Sequence, residues 1–250
     1  MNHHPCLVVP FYNHGQAIAE TLARLRASRL PCWVVDDGSN PDSAQQLDTA
    51  IAAESSWVRL IRYAPNQGKG MAVIRGCEAA FAAGYTHAVQ VDADGQHDAD
   101  DIPRLLDLSR QTPKALVTGI PVYDASVPKG RLYGRYITHF WVWLHTFSFE
   151  IRDSMCGFRV YPLADTLAVW REEKLGHRMD FDTEIMVRLY WRGTPILSMP
   201  TRVTYPLDGV SHFDLLYDNL QISWMHTRLF FGMLRRLPWL LLRKVLGNHA

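Results

Sequence analysis

Residues 88–97 read Ala-Val-Gln-Val-Asp-Ala-Asp-Gly-Gln-His, an apolar, β-branched run that ends abruptly in acids, a glycine, an amide and an imidazole. Such a run predicts a buried strand, and the alternation of side chains along a strand would place Asp92 and Asp94 on the same side. Unpaired carboxylates are costly to desolvate, so two of them at the end of a buried strand predict a partner. Carboxylate oxygens suit Mg²⁺ or Mn²⁺, and these ions commonly share their coordination with substrate phosphates. We therefore predict a divalent cation at this pair.

A simpler explanation of the acids in this region is a turn that caps the following helix. That helix is predicted to begin near Pro103, and acids are favourable at the N-terminal end of a helix dipole. We assign this capping role to Asp98, Asp100 and Asp101. We still predict that the D-x-D pair before them, Asp92 and Asp94, binds the divalent cation.

Composition limits the class of protein. The chain has 250 residues, of which 48% are hydrophobic and 20% charged, and this balance is typical of one large globular α/β domain rather than two small ones. A net charge of +1 argues against nucleic acid as a partner, which needs a dense basic surface. The four cysteines lack paired spacing and are typical of reduced thiols in a cytosolic protein. No uninterrupted run of about eighteen apolar residues is present, so no helix is expected to span a bilayer.

Three further strands precede the central stretch, and each is followed by a polar loop and a helix. The strands are predicted at residues 6–10, 32–35 and 58–62. The order β-α-β-α-β-α-β at this spacing demands crossover connections, and therefore a largely parallel sheet.

Polar side chains follow each of these strands. They are Tyr12-Asn13, Asp36-Asp37, Gly68-Lys69 and the central D-x-D. Ligands of parallel α/β sheets bind at the carboxyl ends of the strands, so four polar loops at one edge favour an enzyme. No G-x-G-x-x-G follows the first strand, and residues 66–70 lack the Walker spacing. A bound nucleotide would therefore be held by acids, metal and apolar contacts.

Four motifs in order resemble the signature of the family 2 glycosyltransferases. They are Val-Val-Pro-Phe-Tyr-Asn (8–13), Val-Val-Asp-Asp-Gly-Ser (34–39), Asn-Gln-Gly-Lys-Gly (66–70) and Val-Asp-Ala-Asp-Gly-Gln-His (91–97). The polyprenyl- or dolichyl-phosphate mannose and glucose synthases are the subgroup that the chain resembles most, over residues 7–211. The resemblance implies an α/β fold of the GT-A (Rossmann-like) type, a mostly parallel sheet with helices on both faces. It places this domain at residues 1–212, followed by C-terminal amphipathic helices at 213–250.

The family resemblance also implies a nucleotide-diphosphate sugar donor, a Mg²⁺ or Mn²⁺ cofactor, and transfer with inversion at the anomeric carbon. It implies metal contacts from Asp92, Asp94 and Gln96. His14 stands where the subgroup commonly has an acid, which leaves the choice between GDP and UDP open. The implied nucleotide-binding residues are Pro10, Tyr12, Asp36, Asp37, Lys69 and Asp92.

The second half of the chain is expected to bind the acceptor. Residues 157–159 resemble the family's Gly-Phe-Arg segment, and residues 179–185 resemble its Phe-(Asp/Glu)-x-Glu segment. A lipid phosphate is already ionised and needs no base, whereas a hydroxyl needs a carboxylate to accept its proton. Asp182 is our first candidate for that base and Asp153 the second; Asp182 and Glu184 are equally explained as helix N-terminal acids. The predicted acceptor or phosphate contacts are Arg131, Arg159, Glu184 and His212.

Two aromatic, apolar segments raise the question of a membrane. Residues 131–149 have the spacing of a helix, and a core helix and a helix on a lipid surface are equal alternatives. Residues 213–246 combine aromatic residues with clustered Arg and Lys, a pattern typical of an interfacial segment, and Pro238 is expected to break or kink the helix. We therefore expect peripheral contact with the inner, cytoplasmic face of the cell membrane.

Together these patterns predict an inverting glycosyltransferase that moves a sugar to a lipid-linked acceptor, either a polyprenyl phosphate or a hydroxylated lipid. One alternative is a sugar-1-phosphate nucleotidylyltransferase, but this class needs a Gly-rich, basic loop after the first strand, and residues 11–15 do not provide one. The other is a non-catalytic, membrane-associated scaffold. The intact D-x-D and Asp36-Asp37 pairs count against it.

Overall fold

The computed structural model describes residues 3–122, 129–204 and 213–245, with the side chains of residues 129–133 left out of the description. Strands and helices alternate along most of this length. The strands are β1 (Pro5–Phe11), β2 (Cys32–Asp37), β3 (Val58–Tyr63), β4 (His87–Gln90), β5 (Leu116–Val122), β6 (Arg159–Pro162) and β7 (Ile196–Arg202). The helices are α1 (Gly15–Leu25), α2 (Pro41–Ala53), α3 (Lys69–Ala82), α4 (Ile102–Gln111), α5 (Lys129–Thr146), α6 (Leu163–Glu172), α7 (Phe181–Arg192) and α8 (Tyr217–Val245).

The strands form a single seven-stranded sheet in the order β3-β2-β1-β4-β6-β5-β7. Every neighbouring pair is parallel except those of β6, which runs antiparallel to both β4 and β5. The prediction of a mostly parallel sheet is confirmed. The antiparallel β6 was not predicted as a strand.

Helices cover both faces of the sheet because side chains alternate along each strand. In β1, Cys6 and Val8 face a core filled by α3, α6, α7 and α8, while Leu7 and Val9 face a second core with α1, α2 and α4. Both faces are therefore dry, which explains the nearly continuous apolar character of the central strands. The predicted arrangement of helices on both faces is confirmed.

The start of α3 shows how the sequence shapes the edge where the loops meet. Gly68 precedes the helix with φ +102°, a conformation that favours glycine. A Cβ at Gly68 would lie 2.4 Å from the carbonyl oxygen of His177, so no larger residue fits. That carbonyl accepts from the amide of Gly70 at 2.8 Å. The loop before α7 thereby closes on the N-terminus of α3.

Helix α8 is more continuous than the sequence indicated. It runs for 29 residues through Pro238, so the helix does not break there, and a kink at Pro238 stays a prediction. Pro238 lies on an exposed face, where water can satisfy the carbonyl that its missing N–H leaves free. Met225, Leu229 and Met233 of α8 are buried in the same core as α7. No helix within the described ranges is both long and apolar enough to cross a membrane.

Candidate active site

The loops after β1 and β2 are tied to each other at the carboxyl edge of the sheet. Asn13, with φ +56°, donates its backbone N–H to Ser39 Oγ at 3.0 Å. Its side-chain oxygen accepts from the Asn40 amide at 2.8 Å. Of the predicted nucleotide contacts in this region, Pro10 is buried in β1 and Tyr12 is half-buried just beyond it.

Asp36 and Asp37, at the end of β2, organise the loops around them. Asp37 accepts from the amides of Gln67 and Gly68, both at 2.7 Å. Burial raises the pKa of Asp37 although these two amides oppose the shift. Asp36 pairs with Arg62 at 2.7 Å. Both carboxylates are almost fully buried and bind protein groups, so their geometry is that of loop-positioning residues, and a direct nucleotide contact stays a prediction.

Lys69 lies at the centre of the site, between two carboxylates that come from distant parts of the chain. Its Nζ is 2.8 Å from Asp92 Oδ2 and 3.1 Å from Asp182 Oδ2. Burial would lower the pKa of Lys69, but Asp182 and Asp92 raise it well above its ordinary value. Burial would raise the pKa of Asp92, but Lys69 and His97 hold it well below its usual range. The cation therefore stays charged and joins the predicted nucleotide side of the site to the predicted acceptor side.

Asp182, the first candidate base, lies in the first turn of α7 and is 6% exposed. Its Oδ2 faces Lys69, and its Oδ1 is 3.8 Å from Arg159 Nη1. Among the described residues this Oδ1 is buried without a hydrogen-bond partner. This Oδ1 therefore keeps the capacity to accept a hydrogen bond.

Gly157 gives these groups the room they need. A Cβ at this position would lie 2.7 Å from Asp92 Oδ2 and 2.8 Å from both Gln90 Nε2 and Lys69 Nζ. All three atoms belong to one hydrogen-bonded cluster, so none can move away cheaply. Glycine is therefore required by the cluster and not by a turn.

The second acid of the D-x-D differs from the first. Strand β4 ends at Gln90, so Asp94 lies in a turn and not on the strand, and the alternation argument does not extend to it. Asp94 is half-buried, and its Oδ1 accepts from the Gln96 amide at 3.1 Å. Within the described ranges it has no ion pair with a basic side chain, unlike Asp92.

The oxygen donors of this turn fit a divalent cation that shares its coordination with a ligand. Asp92, Asp94 and Gln96 offer the carboxylate and amide oxygens that Mg²⁺ and Mn²⁺ prefer. The described residues contain no group of three His, Cys, Asp or Glu side chains placed to hold a metal by themselves. The remaining ligands of such an ion would come from a bound diphosphate.

Asp153, the second candidate base, is fully engaged. Arg135 donates to it through Nε and, at 2.9 Å, through Nη2, and the amides of Met155 and Cys156 donate at 2.9 and 2.8 Å. Burial would raise the pKa of Asp153, but His139 and Arg135 hold it far below its usual range. A carboxylate with these donors is a poor proton acceptor, so the geometry does not support this candidate.

The predicted acceptor contact of Arg159 needs correction. Its side chain is 0% exposed and donates to three backbone carbonyls, those of Ser154 (2.6 Å), Cys156 (2.7 Å) and Asp182 (2.6 Å). An acceptor phosphate could reach this guanidinium only by breaking these bonds. The structure instead makes Arg159 a brace between β6, the loop before it and the start of α7.

The predicted acceptor contact of Glu184 is corrected for the same reason. Glu184 is 0% exposed, and its Oε1 accepts from Arg188 while its Oε2 accepts from Arg228 of α8 and from the Gly176 amide, the last two at 2.8 Å. Glu184 therefore links α7 to α8 in the interior of the protein. The side chain of Arg131 and the whole of His212 lie outside the described residues, so their predicted contacts stay predictions.

Sequence reasoning missed three residues that complete the site. The His97 ring stacks on Phe158, and its Nε2 is 3.5 Å from Asp92 Oδ2. Gln90 donates to Asp92 Oδ1 at 3.1 Å, and Tyr161 donates to Gln90 Oε1 at 3.1 Å. A polar glutamine at the end of an otherwise apolar strand, two positions before the first acid of the D-x-D, was the available signal for one of them.

Comparison with known proteins identifies the family. The family model described as Glycosyl transferase family 2 matches residues 6–177. An undecaprenyl-phosphate mannosyltransferase of Micrococcus luteus is 30% identical over 172 residues, which are 64% of this chain and 66% of that protein. A polyprenol monophosphomannose synthase of Mycolicibacterium smegmatis is 25% identical over 224 residues, 82% of this chain and 79% of that protein.

A solved structure shows the same fold. The mannosyltransferase PcManGT from Pyrobaculum calidifontis, in complex with GDP-Man and Mn²⁺, superposes with a TM-score of 0.55 at 13% identity and covers 82% of this chain and 58% of that one. The fold is therefore the GT-A fold. Because the family model spans well over half of its length, this chain belongs to glycosyl transferase family 2.

Proposed function

We propose that this protein is an inverting, metal-dependent glycosyltransferase that transfers a sugar from a nucleotide-diphosphate sugar to a lipid-linked acceptor. The observation that carries the proposal is Lys69, whose ammonium joins the first acid of the D-x-D, Asp92, to Asp182, a carboxylate whose Oδ1 has no hydrogen-bond partner among the described residues. Lys69 thus joins the donor-binding half of the proposed site to its acceptor-binding half. A scaffold has no need of this arrangement.

The residues of the D-x-D turn fit the donor. Asp92, Asp94 and Gln96 would hold Mg²⁺ or Mn²⁺ together with the diphosphate. When bound, the ion offsets the negative charge that develops on the leaving nucleoside diphosphate. Lys69 fixes Asp92 on this side of the site, and His97 flanks the same carboxylate.

The acceptor half is built around α7. For a hydroxyl acceptor, Asp182 Oδ1 would take the proton as the oxygen attacks the sugar from the face opposite the diphosphate. For a polyprenyl phosphate acceptor no proton needs to be removed, and Asp182 would orient Lys69. The two similar curated proteins carry names that specify polyprenyl phosphate substrates, which favours the lipid phosphate as acceptor.

A lipid acceptor requires contact with a membrane, and α8 offers a surface for it. Seven large apolar side chains, all exposed, recur along the helix at spacings of three, four and seven and lie on one face, opposite the buried Met225, Leu229 and Met233. We call this face the apolar stripe. It consists of Tyr217, Leu220, Trp224, Phe231, Leu234, Leu241 and Val245.

The cations of α8 were expected to meet lipid headgroups, but the structure engages several of them within the protein. Arg228 binds Glu184, Arg236 binds Glu173 at 2.9 Å, and Arg243 donates to the Tyr190 carbonyl at 3.0 Å. We therefore attribute membrane contact chiefly to the apolar stripe. The four cysteines are all free and buried, which suits the cytoplasmic side of the membrane.

The test of the donor half is calorimetric binding of UDP and of GDP with and without Mn²⁺. We expect the wild-type protein to bind at least one of them in a Mn²⁺-dependent manner, and Asp94→Asn to lose that dependence. Asp98→Asn is the matched control, because Asp98 lies nearby but only caps a short turn by accepting from the Asp100 amide.

Two results would overturn the proposal. One is the absence of nucleoside diphosphate binding by the wild-type protein with either Mn²⁺ or Mg²⁺. The other is retention of full Mn²⁺-dependent affinity by Asp94→Asn. A nucleotide that does bind then selects the sugar nucleotides for transfer assays with polyprenyl phosphate and with hydroxylated lipids.

A further inference from the structure

A chain of buried hydrogen bonds ends on the carboxylate of Asp92. It begins at Arg159, whose Nη1 donates to the hydroxyl of Tyr161 at 3.5 Å. Tyr161 donates to Gln90 Oε1 at 3.1 Å, and Gln90 Nε2 donates to Asp92 Oδ1 at 3.1 Å. Arg159, Tyr161 and Gln90 are each 0% exposed, so water does not compete for any of these groups.

Sheet register brings these residues together. Gln90 of β4 pairs directly with Arg159 of β6, and Ala88 pairs with Tyr161. Directly paired residues point to the same face, and so do residues two apart on one strand. The antiparallel β6, inserted between two otherwise parallel strands, is thus what places the arginine and the tyrosine beside the D-x-D strand.

The hydrogen bonds of this series can be donated in only one direction, from Arg159 towards Asp92. A guanidinium has donors and no acceptor, so Tyr161 must accept from Arg159 and is left with its own proton to donate. Burial raises the pKa of Tyr161 above its ordinary value, so the hydroxyl keeps that proton. Gln90 must then present its oxygen to Tyr161 and its amino group to Asp92. The reverse orientation of the amide would set its oxygen against the Asp92 carboxylate.

We propose that Tyr161 and Gln90 are positioning residues that fix the Asp92 carboxylate in the orientation in which it meets the nucleotide-diphosphate donor. Gln90 holds Oδ1 and Lys69 holds Oδ2, so the rotation of the carboxylate is fixed from both sides. Arg159 anchors this series of hydrogen bonds, because backbone carbonyls hold its guanidinium whether or not the nucleotide-diphosphate sugar is bound. This inference rests on the proposed function, since it assumes that Asp92 contacts the donor.

The first test needs no nucleotide. Tyr161→Phe removes the hydroxyl and keeps the ring, while Tyr190→Phe is the matched control, a buried tyrosine on α7 under Arg243. The side-chain amide protons of Gln90 should exchange slowly with solvent in ¹⁵N NMR spectra of the wild-type protein and of Tyr190→Phe. They should lose that protection in Tyr161→Phe. If the protection is the same in Tyr161→Phe as in the wild type, the hydroxyl does not hold the amide and the inference is wrong.

The second test is a double-mutant cycle on the Kd of the nucleoside diphosphate in Mn²⁺. Tyr161→Phe should raise the Kd about 3- to 10-fold, the range for one buried hydrogen bond. Gln90→Met should raise it at least as much, and the double variant should be no worse than Gln90→Met alone, because Tyr161 acts only through Gln90. Additive effects, or an unchanged Kd in Tyr161→Phe, would overturn the inference.

The two proposals fail in different ways. If the wild-type protein binds no nucleoside diphosphate, the proposed function fails, and the NMR experiment still decides whether Tyr161 orients Gln90. If the wild type binds and Tyr161→Phe binds equally well, only the positioning role fails. A purely structural role would lower the Tm of Tyr161→Phe and leave the Kd unchanged.

Discussion

Removing two side chains from the apolar stripe should release the protein from lipid vesicles. Trp224 is 59% exposed and Phe231 is 57% exposed, and both project from the face of α8 opposite the core. An aromatic side chain buries about 150–250 Å² in full, so each presents on the order of 100 Å² of apolar surface. At about 25 cal/mol per Å² the pair contributes about 5 kcal/mol if fully immersed, and about 2.5 kcal/mol if half immersed.

The expected result is therefore a large loss of partitioning. A loss of about 2.5 kcal/mol lowers the partition coefficient roughly 70-fold. The assay is co-sedimentation of Trp224→Ser/Phe231→Ser with phosphatidylcholine vesicles, with and without anionic lipid. Phe81→Ser is the matched control, because Phe81 is 42% exposed on α3, away from the stripe.

Salt dependence provides a second check on the same reasoning. Arg236 and Arg243 are already bound to Glu173 and to the Tyr190 carbonyl, so binding should change little between low and high salt. Unchanged sedimentation of the double variant would refute the assignment of the stripe as the contact surface. Release of the wild-type protein by salt alone would move the contact to charged residues.

Two further predictions concern the interior. Gly157→Ala should raise the Kd for a nucleoside diphosphate in Mn²⁺ by about tenfold or more, because the new Cβ would lie 2.7 Å from Asp92 Oδ2. The Kd is measured by calorimetry. An unchanged Kd would contradict the close packing of Gly157 against Asp92, Gln90 and Lys69. The buried pair His145 and His226, whose ring nitrogens are 3.2 Å apart, should make the protein acid-sensitive. Burial lowers their pKa values to about 3 and about 4. The imidazoles of the unfolded chain have ordinary pKa values, so below about pH 6.5 the unfolded state binds more protons than the folded state. The free energy of unfolding should therefore fall as the pH drops from about 6.5 towards 4. The loss should be at most on the order of 3 kcal/mol per histidine. Urea unfolding near neutral pH and at about pH 5 measures this dependence, and His226→Phe should reduce it.

The parts of the site that could be predicted from sequence are those carried by short, local patterns. The end of a β-branched strand at Asp92 and Asp94, and the loop at Lys69, could be placed because parallel strands bring their carboxyl ends to one edge. Asp182 could be named because it lies in residues 179–185, which resemble a motif of the family. The first two predictions needed only the local sequence and the order of the elements, and the third needed the resemblance.

The residues that could not be predicted depend on partners that only the folded structure brings together. Arg159 looks like a phosphate ligand until its carbonyl partners at residues 154, 156 and 182 are known. Glu184 looks like a site carboxylate until Arg228 of α8 is seen to bind it. Tyr161 gives no signal of its own, because its role comes from the register of an antiparallel strand. Charge in a motif indicates that a partner exists, but not whether the partner is substrate or protein.

The place of α8 in the core has a consequence for the synthesis of the protein. Met225, Leu229 and Met233 fill a core whose other walls, among them α3 and α7, come from earlier in the chain. At about 5–20 residues per second, the ribosome exposes those earlier walls seconds before α8 is made. During that interval the acid Glu184 lacks Arg228, and the hydrophobic face that α8 will cover is open to water. The core is therefore expected to close only once α8 has been made, and the nascent chain is most open to chaperones just before α8 emerges.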